Sequence, residues 1–196
     1  MKKVLLSIAM VAVGFTVNAQ EVTFGAKAGL NIANVSGDNV ENNDARTSFH
    51  VGGVAEIEIS DKFSIQPELL YSEQGFKVES EQMGFNVEET LKLSYLNIPV
   101  IAKYYVAEGF SLEAGPQIGF LMSAKAKVEA AGQSAEEDVK DDLKSIDFGL
   151  NFGAGYKLDN GLNFSARYNL GLSNISEDDD NEVKNGVFQI SVGYSF

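Results

Sequence analysis

Residues 146–172 read IDFGLNFGAGYKLDNGLNFSARYNLGL. Two runs in this stretch place apolar side chains at every second position, and Asp159-Asn160-Gly161 separates them. A period of two is that of a β-strand whose two faces differ, and an Asn-Gly pair favours a tight hairpin turn. The stretch therefore predicts two antiparallel strands joined by a short turn.

The same alternation recurs along the chain and predicts eight strands. Their apolar stripes cover residues 22–32, 49–59, 63–71, 90–106, 110–120, 146–158, 162–172 and 188–196. Each is near or above the roughly 9–11 residues that a tilted strand needs to cross a membrane. In the fourth segment Leu91, Leu93 and Tyr95 lie on one parity and the apolar residues from Leu96 onward on the other, so we expect a bulge near Tyr95.

The connections alternate between short and long. Residues 60–62, 107–109 and 159–161 form tight turns, whereas long acidic loops are expected near residues 34–46, 73–89, 123–144 and 174–186. The loop at 124–142, rich in Ala, Glu and Lys, is compatible with a helical turn. Short periplasmic turns and long extracellular loops are typical of an up-and-down barrel in an outer membrane, with both termini periplasmic.

The first residues predict a cleaved signal peptide. Lys2 and Lys3 precede an apolar run at 4–13, and Val17-Asn18-Ala19 resembles a signal-peptidase site. That run is too short to cross a membrane as a helix, which needs roughly 20 residues. We therefore predict a signal peptide at 1–19 and one domain at 20–196.

Composition excludes several classes of protein. The chain has no cysteine and a formal net charge of -13, and loss of the signal peptide makes it more acidic. Disulfides and thiolate metal ligands are excluded. Such a charge repels nucleic acid, and it repels anionic headgroups unless divalent cations intervene.

Alternation alone also fits a soluble lipocalin-like barrel with apolar residues inside. Glycine placement favours the membrane, because glycines on the polar parity make room in a crowded lumen. These are Gly25, Gly29, Gly52, Gly115, Gly119, Gly149, Gly153, Gly155, Gly171 and Gly193, whereas Gly53 lies on the apolar parity. Aromatic residues near many strand ends, including the terminal Phe196, fit interfacial girdles.

Charges on the polar parity are few and nearly balanced. Glu56, Glu58, Glu68, Glu113 and Asp147 oppose Lys27, Lys103, Lys157 and Arg167. An enclosed lumen must pair its charges or keep them hydrated. We expect Lys27, Glu68 and Arg167 near mid-height, with Arg167 paired to Glu68 or Glu113. An ion-paired plug is favoured over a gated polar pathway, because eight-stranded barrels are generally filled.

Four segments resemble a known family. They are FGAKAGLN at 24–31, QPELLY at 66–71, YLNIPV at 95–100 and AGPQIG at 114–119. Together they are similar to the outer-membrane β-barrel domain common in Bacteroidetes, whose members are labelled porin-family or PorT-like. The resemblance implies fold and location, and the terminal aromatic resembles the signal read by the barrel-assembly machinery. It implies no catalytic residues.

The sequence contains two candidate sites. The acidic run at 176–182 suggests calcium, but it lacks the glycine and spacing of an EF-hand loop, so a solvated charge run is favoured. Ser48, His50 and Asp147 are expected near the extracellular rim, where a hydrolytic triad is conceivable. No nucleophile motif supports it. The sequence therefore predicts no catalytic, metal or cofactor site.

The predicted fold is all-β, an eight-stranded antiparallel up-and-down transmembrane β-barrel. The leading function is a non-enzymatic structural or surface-interaction role through the acidic loops. A narrow porin-like channel is the alternative, and a lipid-modifying enzyme at the rim is a remote one. Expected partners are outer-membrane lipid, lipopolysaccharide and the barrel-assembly machinery, with no nucleic acid, and the expected state is a monomer.

Overall fold

The computed structural model describes residues 21–37, 43–82, 85–130, 133–178 and 182–196. The predicted signal peptide at 1–19 lies outside them. Within these ranges the elements are β1 Val22–Gly37, β2 Asn43–Ser60, β3 Phe63–Gln82, β4 Phe85–Ala107, β5 Phe110–Ala130, β6 Gln133–Asp138, a 3-10 turn at Lys140–Asp142, β7 Ile146–Lys157, β8 Leu162–Gly171 and β9 Val183–Ser195. The helical turn expected within 124–142 is thus confirmed. No helix in the described ranges is long and apolar enough to span a membrane.

Eight of the strands close into a ring. Each pairs antiparallel with its neighbour, β5 with β7, and β1 with β9 through Ala28 opposite Val192. The predicted up-and-down barrel is confirmed. The remaining strand, β6, is not part of the ring. It pairs with β5 at residues 125–130, whereas the pairing of β5 with β7 ends at Phe120.

The two ends of the barrel differ. At the short-turn end, tight turns join β2 to β3, β4 to β5, and β7 to β8, as predicted. Gly109 at φ +71° and Gly161 at φ +87° occupy the left-handed region there, which only glycine adopts without strain. The long-loop end carries the other connections.

Two of the predicted long loops are wrong. Residues 73–89 fall mainly in the hairpin of β3 and β4, and residues 123–144 mainly in β5 and β6. We call residues 73–82, 85–94, 123–130 and 133–138 the sheet extension. The loops expected at 34–46 and 174–186 are shorter than predicted, since β1 reaches Gly37, β2 begins at Asn43 and β9 begins at Val183.

The bulge predicted near Tyr95 in β4 is present at that height but lies in the neighbouring strand β5. Ser94 is opposite Ser123 while Tyr95 is opposite Leu121, so Met122 is the extra residue, in β5. Strand β4 keeps one parity throughout, and Leu93 and Tyr95 both point inward and are buried. The phase change in β4 therefore reflects an apolar interior at this height.

The outer surface of the ring is a belt of exposed apolar side chains. Phe24 is 64 % exposed, Leu112 52 % and Ile190 53 %, while the alternate residues are buried and mainly polar. An exposed apolar surface of this extent marks contact with lipid. The predicted assignment of faces is confirmed for this belt.

Candidate functional site

The centre of the barrel is built around one arginine. Arg167 Nη1 donates to Glu68 Oε1 at 2.7 Å, and Arg167 Nε donates to Glu113 Oε2 at 2.5 Å. The three side chains are at most 3 % exposed. The sequence predicted one of these two partners, and the structure brings both together.

Four more charged side chains complete an ion network around Arg167. Lys27 Nζ lies 3.3 Å from Glu68 Oε2, and Lys103 Nζ lies 3.4 Å from Glu56 Oε1 and 4.0 Å from Glu113 Oε1. Lys157 Nζ lies 3.2 Å from the other Glu56 oxygen. We define the ion network as Lys27, Glu56, Glu68, Lys103, Glu113, Lys157 and Arg167. The ring strands β1, β2, β3, β4, β5, β7 and β8 each supply one member, so the network joins opposite walls.

Glycines make room for this network, as the sequence predicted. A Cβ added at Gly155 would lie 2.4 Å from Glu113 Oε1, and one at Gly153 would lie 2.7 Å from Arg167 Cγ. At Gly53, on the outer face, the nearest atom would be 3.9 Å away. The glycines on the inner face are therefore needed for the volume they leave free.

A neutral polar layer lies next to the ion network. His50 Nδ1 and Asn31 Oδ1 are 2.8 Å apart, as are His50 Nε2 and Ser191 Oγ. Gln189 Nε2 also donates to Asn31 Oδ1 at 3.0 Å, and Asn31 Nδ2 donates to Ser72 Oγ at 3.0 Å. We call Asn31, His50, Ser72, Gln189 and Ser191 the polar layer. These hydrogen bonds hold the five side chains against one another across the lumen.

The suggested triad at the rim is wrong. Ser48 Oγ donates to the backbone carbonyl of Glu73, and Asp147 accepts from Ser173 Oγ at 2.7 Å and from Asn185 Nδ2 at 2.8 Å. His50 contacts neither Ser48 nor Asp147, because both its ring nitrogens have partners in the polar layer. A nucleophile that no base can reach is not activated.

Sequence reasoning missed an apolar cluster that closes the long-loop end. The cluster consists of Val35, Leu93, Tyr95, Leu121, Ala124 and Ile175, all at most 5 % exposed. Ile175 comes from the connection between β8 and β9, which is fixed by hydrogen bonds from Ile175 N to Val183 O and from Lys144 N to Ile175 O. The parity change at Leu93 and Tyr95 was the signal that could have revealed it.

The short-turn end is open instead. A vestibule of about 530 Å³ is lined by side chains that include Glu21, Glu58, Asp61 and Asp159. Glu58, expected within the lumen, is exposed here. Beyond Lys157, the space next to Arg167 shrinks to a cavity of about 10 Å³, which is room for about one water molecule. The vestibule therefore ends at the ion network.

The described residues contain no group of three or more His, Cys, Asp or Glu side chains placed to hold a metal ion. The calcium hypothesis for 176–182 falls partly outside the described residues, since 179–181 are not among them. Within the described part, Asp178 N donates to Ser176 Oγ, which closes a local turn.

A family model for the outer membrane protein beta-barrel domain matches residues 18–177. The chain belongs to this family. The family and the barrel's apolar belt place the protein in the outer membrane. No curated protein matches the chain.

Solved structures similar to this outer-membrane barrel share its fold. Ail, the attachment invasion locus protein of Yersinia pestis, is 17 % identical with a TM-score of 0.56, over 90 % of this chain and 99 % of that one. Neisserial surface protein A is 14 % identical with a TM-score of 0.55, over the same shares of the two chains. At such identities the likeness shows the architecture alone.

Proposed function

We propose that this outer-membrane barrel is a sealed, non-enzymatic scaffold that presents the sheet extension for interactions at the cell surface. The observation that carries the proposal is that described side chains fill the lumen in three successive layers. The ion network, the polar layer and the apolar cluster follow one another from the vestibule to the long-loop end. An ion would have to displace buried, paired charges to pass, which is costly in a desolvated interior.

The orientation follows from the asymmetry of the two ends. Barrels of this class place short turns in the periplasm and long connections outside, so the sheet extension projects from the cell. The three longest strands, β3, β4 and β5, have 20, 23 and 21 residues, about twice what a membrane crossing needs. The names of Ail and Neisserial surface protein A, which refer to attachment and to the surface, agree with a surface role.

A narrow channel is the second candidate, because the vestibule opens the periplasmic half of the lumen. Single-channel recording in planar bilayers separates the two. We expect no conductance steps from the purified wild-type barrel in 1 M salt. A control variant combining Glu68→Ala, Arg167→Ala, His50→Ala and Ile175→Ala removes side chains from all three layers and should conduct. Discrete steps from the wild type, at one conductance per inserted barrel, would refute the sealed scaffold.

Further features belong to the same proposal. The four family-like segments support membership of the Bacteroidetes porin-family or PorT-like group. The exposed terminal Phe196, 79 % accessible, suits recognition by the barrel-assembly machinery. We expect a monomer, since the lipid belt and the filled lumen need no second copy. Replacing His50 should leave the lipid composition of the membrane unchanged, because Ser48, His50 and Asp147 bond to other partners and do not form a triad.

A further inference from the structure

Two lysines stand directly opposite each other on the outer face of the sheet extension. Lys92 of β4 and Lys125 of β5 are register partners. Lys92 shares its parity with Leu96 and Val100, which face lipid further down the same strand. Like charges directly opposite each other destabilise a sheet. An anion bound between the two ammonium groups would therefore stabilise the pair.

Within the chain, Glu136 provides that anion. Its Oε2 lies 3.0 Å from Lys92 Nζ and its Oε1 lies 2.7 Å from Lys125 Nζ. Hydrogen bonds from the two lysines lower the pKa of Glu136 to about 2. Glu136 belongs to β6, in which all six residues are exposed. A solvent-exposed edge strand, paired only with β5 among the described strands, thus carries the counterion.

The height of the pair matches the edge of the membrane. Lys92 lies four residues beyond Leu96, about 13 Å of strand and about 10 Å along the membrane normal at the usual tilt. A headgroup layer is roughly 5–8 Å thick, and a lysine side chain reaches back toward it. Lys140 adds a third ammonium group at the boundary itself. Its Nζ donates at 3.2 Å to the carbonyl of Met122, whose side chain is 55 % exposed at the top of the belt.

We propose that Lys92, Lys125 and Lys140 bind phosphate groups of outer-leaflet lipid, and that Glu136 is a built-in competitor for the same position. The proposal rests on the orientation proposed above. Lysine binds phosphate as a compact point charge. In a chain of net charge -13, which would otherwise repel an anionic leaflet, lysines at this height give the lipid phosphates a favourable contact without a bridging divalent cation.

Native mass spectrometry of the purified mature barrel tests the proposal. Micelles would be doped with bis-phosphorylated lipid A or with the same lipid lacking both phosphates, in the presence of a chelator. We expect the wild type to retain the phosphorylated lipid preferentially. A double variant, Lys92→Gln with Lys125→Gln, should lose about fivefold of that preference for each lysine removed, whereas Glu136→Gln should increase it.

Lys62→Gln is the matched control, because Lys62 is an exposed lysine in a turn at the other end of the barrel. It should bind as the wild type does. Heat-dependent gel migration verifies that each variant is folded. Equal retention of the two lipids, or equal losses from Lys62→Gln and the double variant, would overturn the site. Displacement of the lipid by inorganic phosphate, at an ionic strength matched with chloride, would show a free-phosphate site and overturn the lipid assignment. Labelling of Lys125→Cys in intact cells tests the orientation separately.

Discussion

Replacing Arg167 with methionine tests whether the lumen is a dry, ion-paired interior. Methionine keeps much of the arginine's length and apolar volume while removing its charge. The substitution eliminates the two hydrogen bonds to Glu68 and Glu113, whose carboxylates are at most 3 % exposed. The cations that remain next to the carboxylates are then Lys27, at 3.3 Å from Glu68, and Lys103, at 4.0 Å from Glu113. Gln66 and Ser111 still donate hydrogen bonds to them.

The magnitude follows from the hydrogen bonds lost. Each bond to a charged group contributes roughly 1.5–3 kcal/mol, so two give roughly 3–6 kcal/mol. Partial compensation by the two lysines lowers the expected loss in the free energy of unfolding to about 3–5 kcal/mol, the usual cost of removing one partner from a buried ion pair. Removing the charges of Arg167 and Glu68 together should cost less free energy of unfolding than the sum of the two single substitutions. In a double-mutant cycle, Arg167→Met with Glu68→Gln should therefore show a favourable coupling.

Urea unfolding in phosphocholine vesicles provides the measurement, followed by circular dichroism because the chain has no tryptophan. The matched control is Lys77→Met, which also removes one cation. Its 2.7 Å pair with Glu88 is more than 30 % exposed on both sides, so water screens the attraction and the expected loss is much smaller than for Arg167→Met. Similar losses from both variants would refute the reasoning, because they would mean that water hydrates the lumen charges.

Three further outcomes are expected from other parts of the structure. Gly155→Val should destabilise the barrel by about 1–3 kcal/mol through overpacking. Gly53→Ala, whose added Cβ would lie 3.9 Å from its nearest atom, should be neutral or slightly stabilising. Urea midpoints compare the two variants, and equal midpoints would contradict the packing argument. Ile175→Ala should cost about 2–5 kcal/mol by opening a cavity in the apolar cluster, and faster protease cleavage of the connection between β8 and β9 would report it. Because the pKa of Glu136 is lowered from 4.5 to about 2, its ion pairs should contribute fully above pH 4.5 and be lost as the pH falls through about 2; a carboxyl NMR titration of the wild type against Lys92→Gln checks this, and an unshifted midpoint in both would contradict it.

The ring strands and their faces were predictable because two simple signals agreed. Apolar residues recur with period two, and glycines with a few balanced charges occupy the other parity. The pairing of Arg167 was also predictable, because a charged side chain inside a narrow barrel can reach only the few opposite charges that share the lumen. Which of the two carboxylates it would meet depends on cross-barrel geometry. In the structure Arg167 forms ion pairs with both Glu68 and Glu113.

The sheet extension was missed because its alternation has reversed polarity. Residues 125–130 read KAKVEA, with charges on the outer face and small apolar side chains on the inner face. A search for apolar alternation, which identifies membrane strands, assigns such charged runs to loops. The apolar cluster was missed for a related reason, because Ile175 reaches it from an acidic connection whose composition indicates only solvation.

Strand β4 explains both errors, since a single strand passes from one solvent to another. Between Leu96 and Tyr104 its outer face meets hydrocarbon, so most of its apolar residues point outward. The inward residues there are Asn97, Pro99, Ile101 and Lys103. Beyond Leu96 the outer face meets headgroups and water, so Ser94 and Lys92 point outward and the apolar Leu93 points inward. The pleat never changes; only the surrounding medium does. The residue at which apolar side chains change parity therefore marks the outer edge of the hydrocarbon layer, and the opposed lysines of β4 and β5 lie about 10 Å beyond this edge.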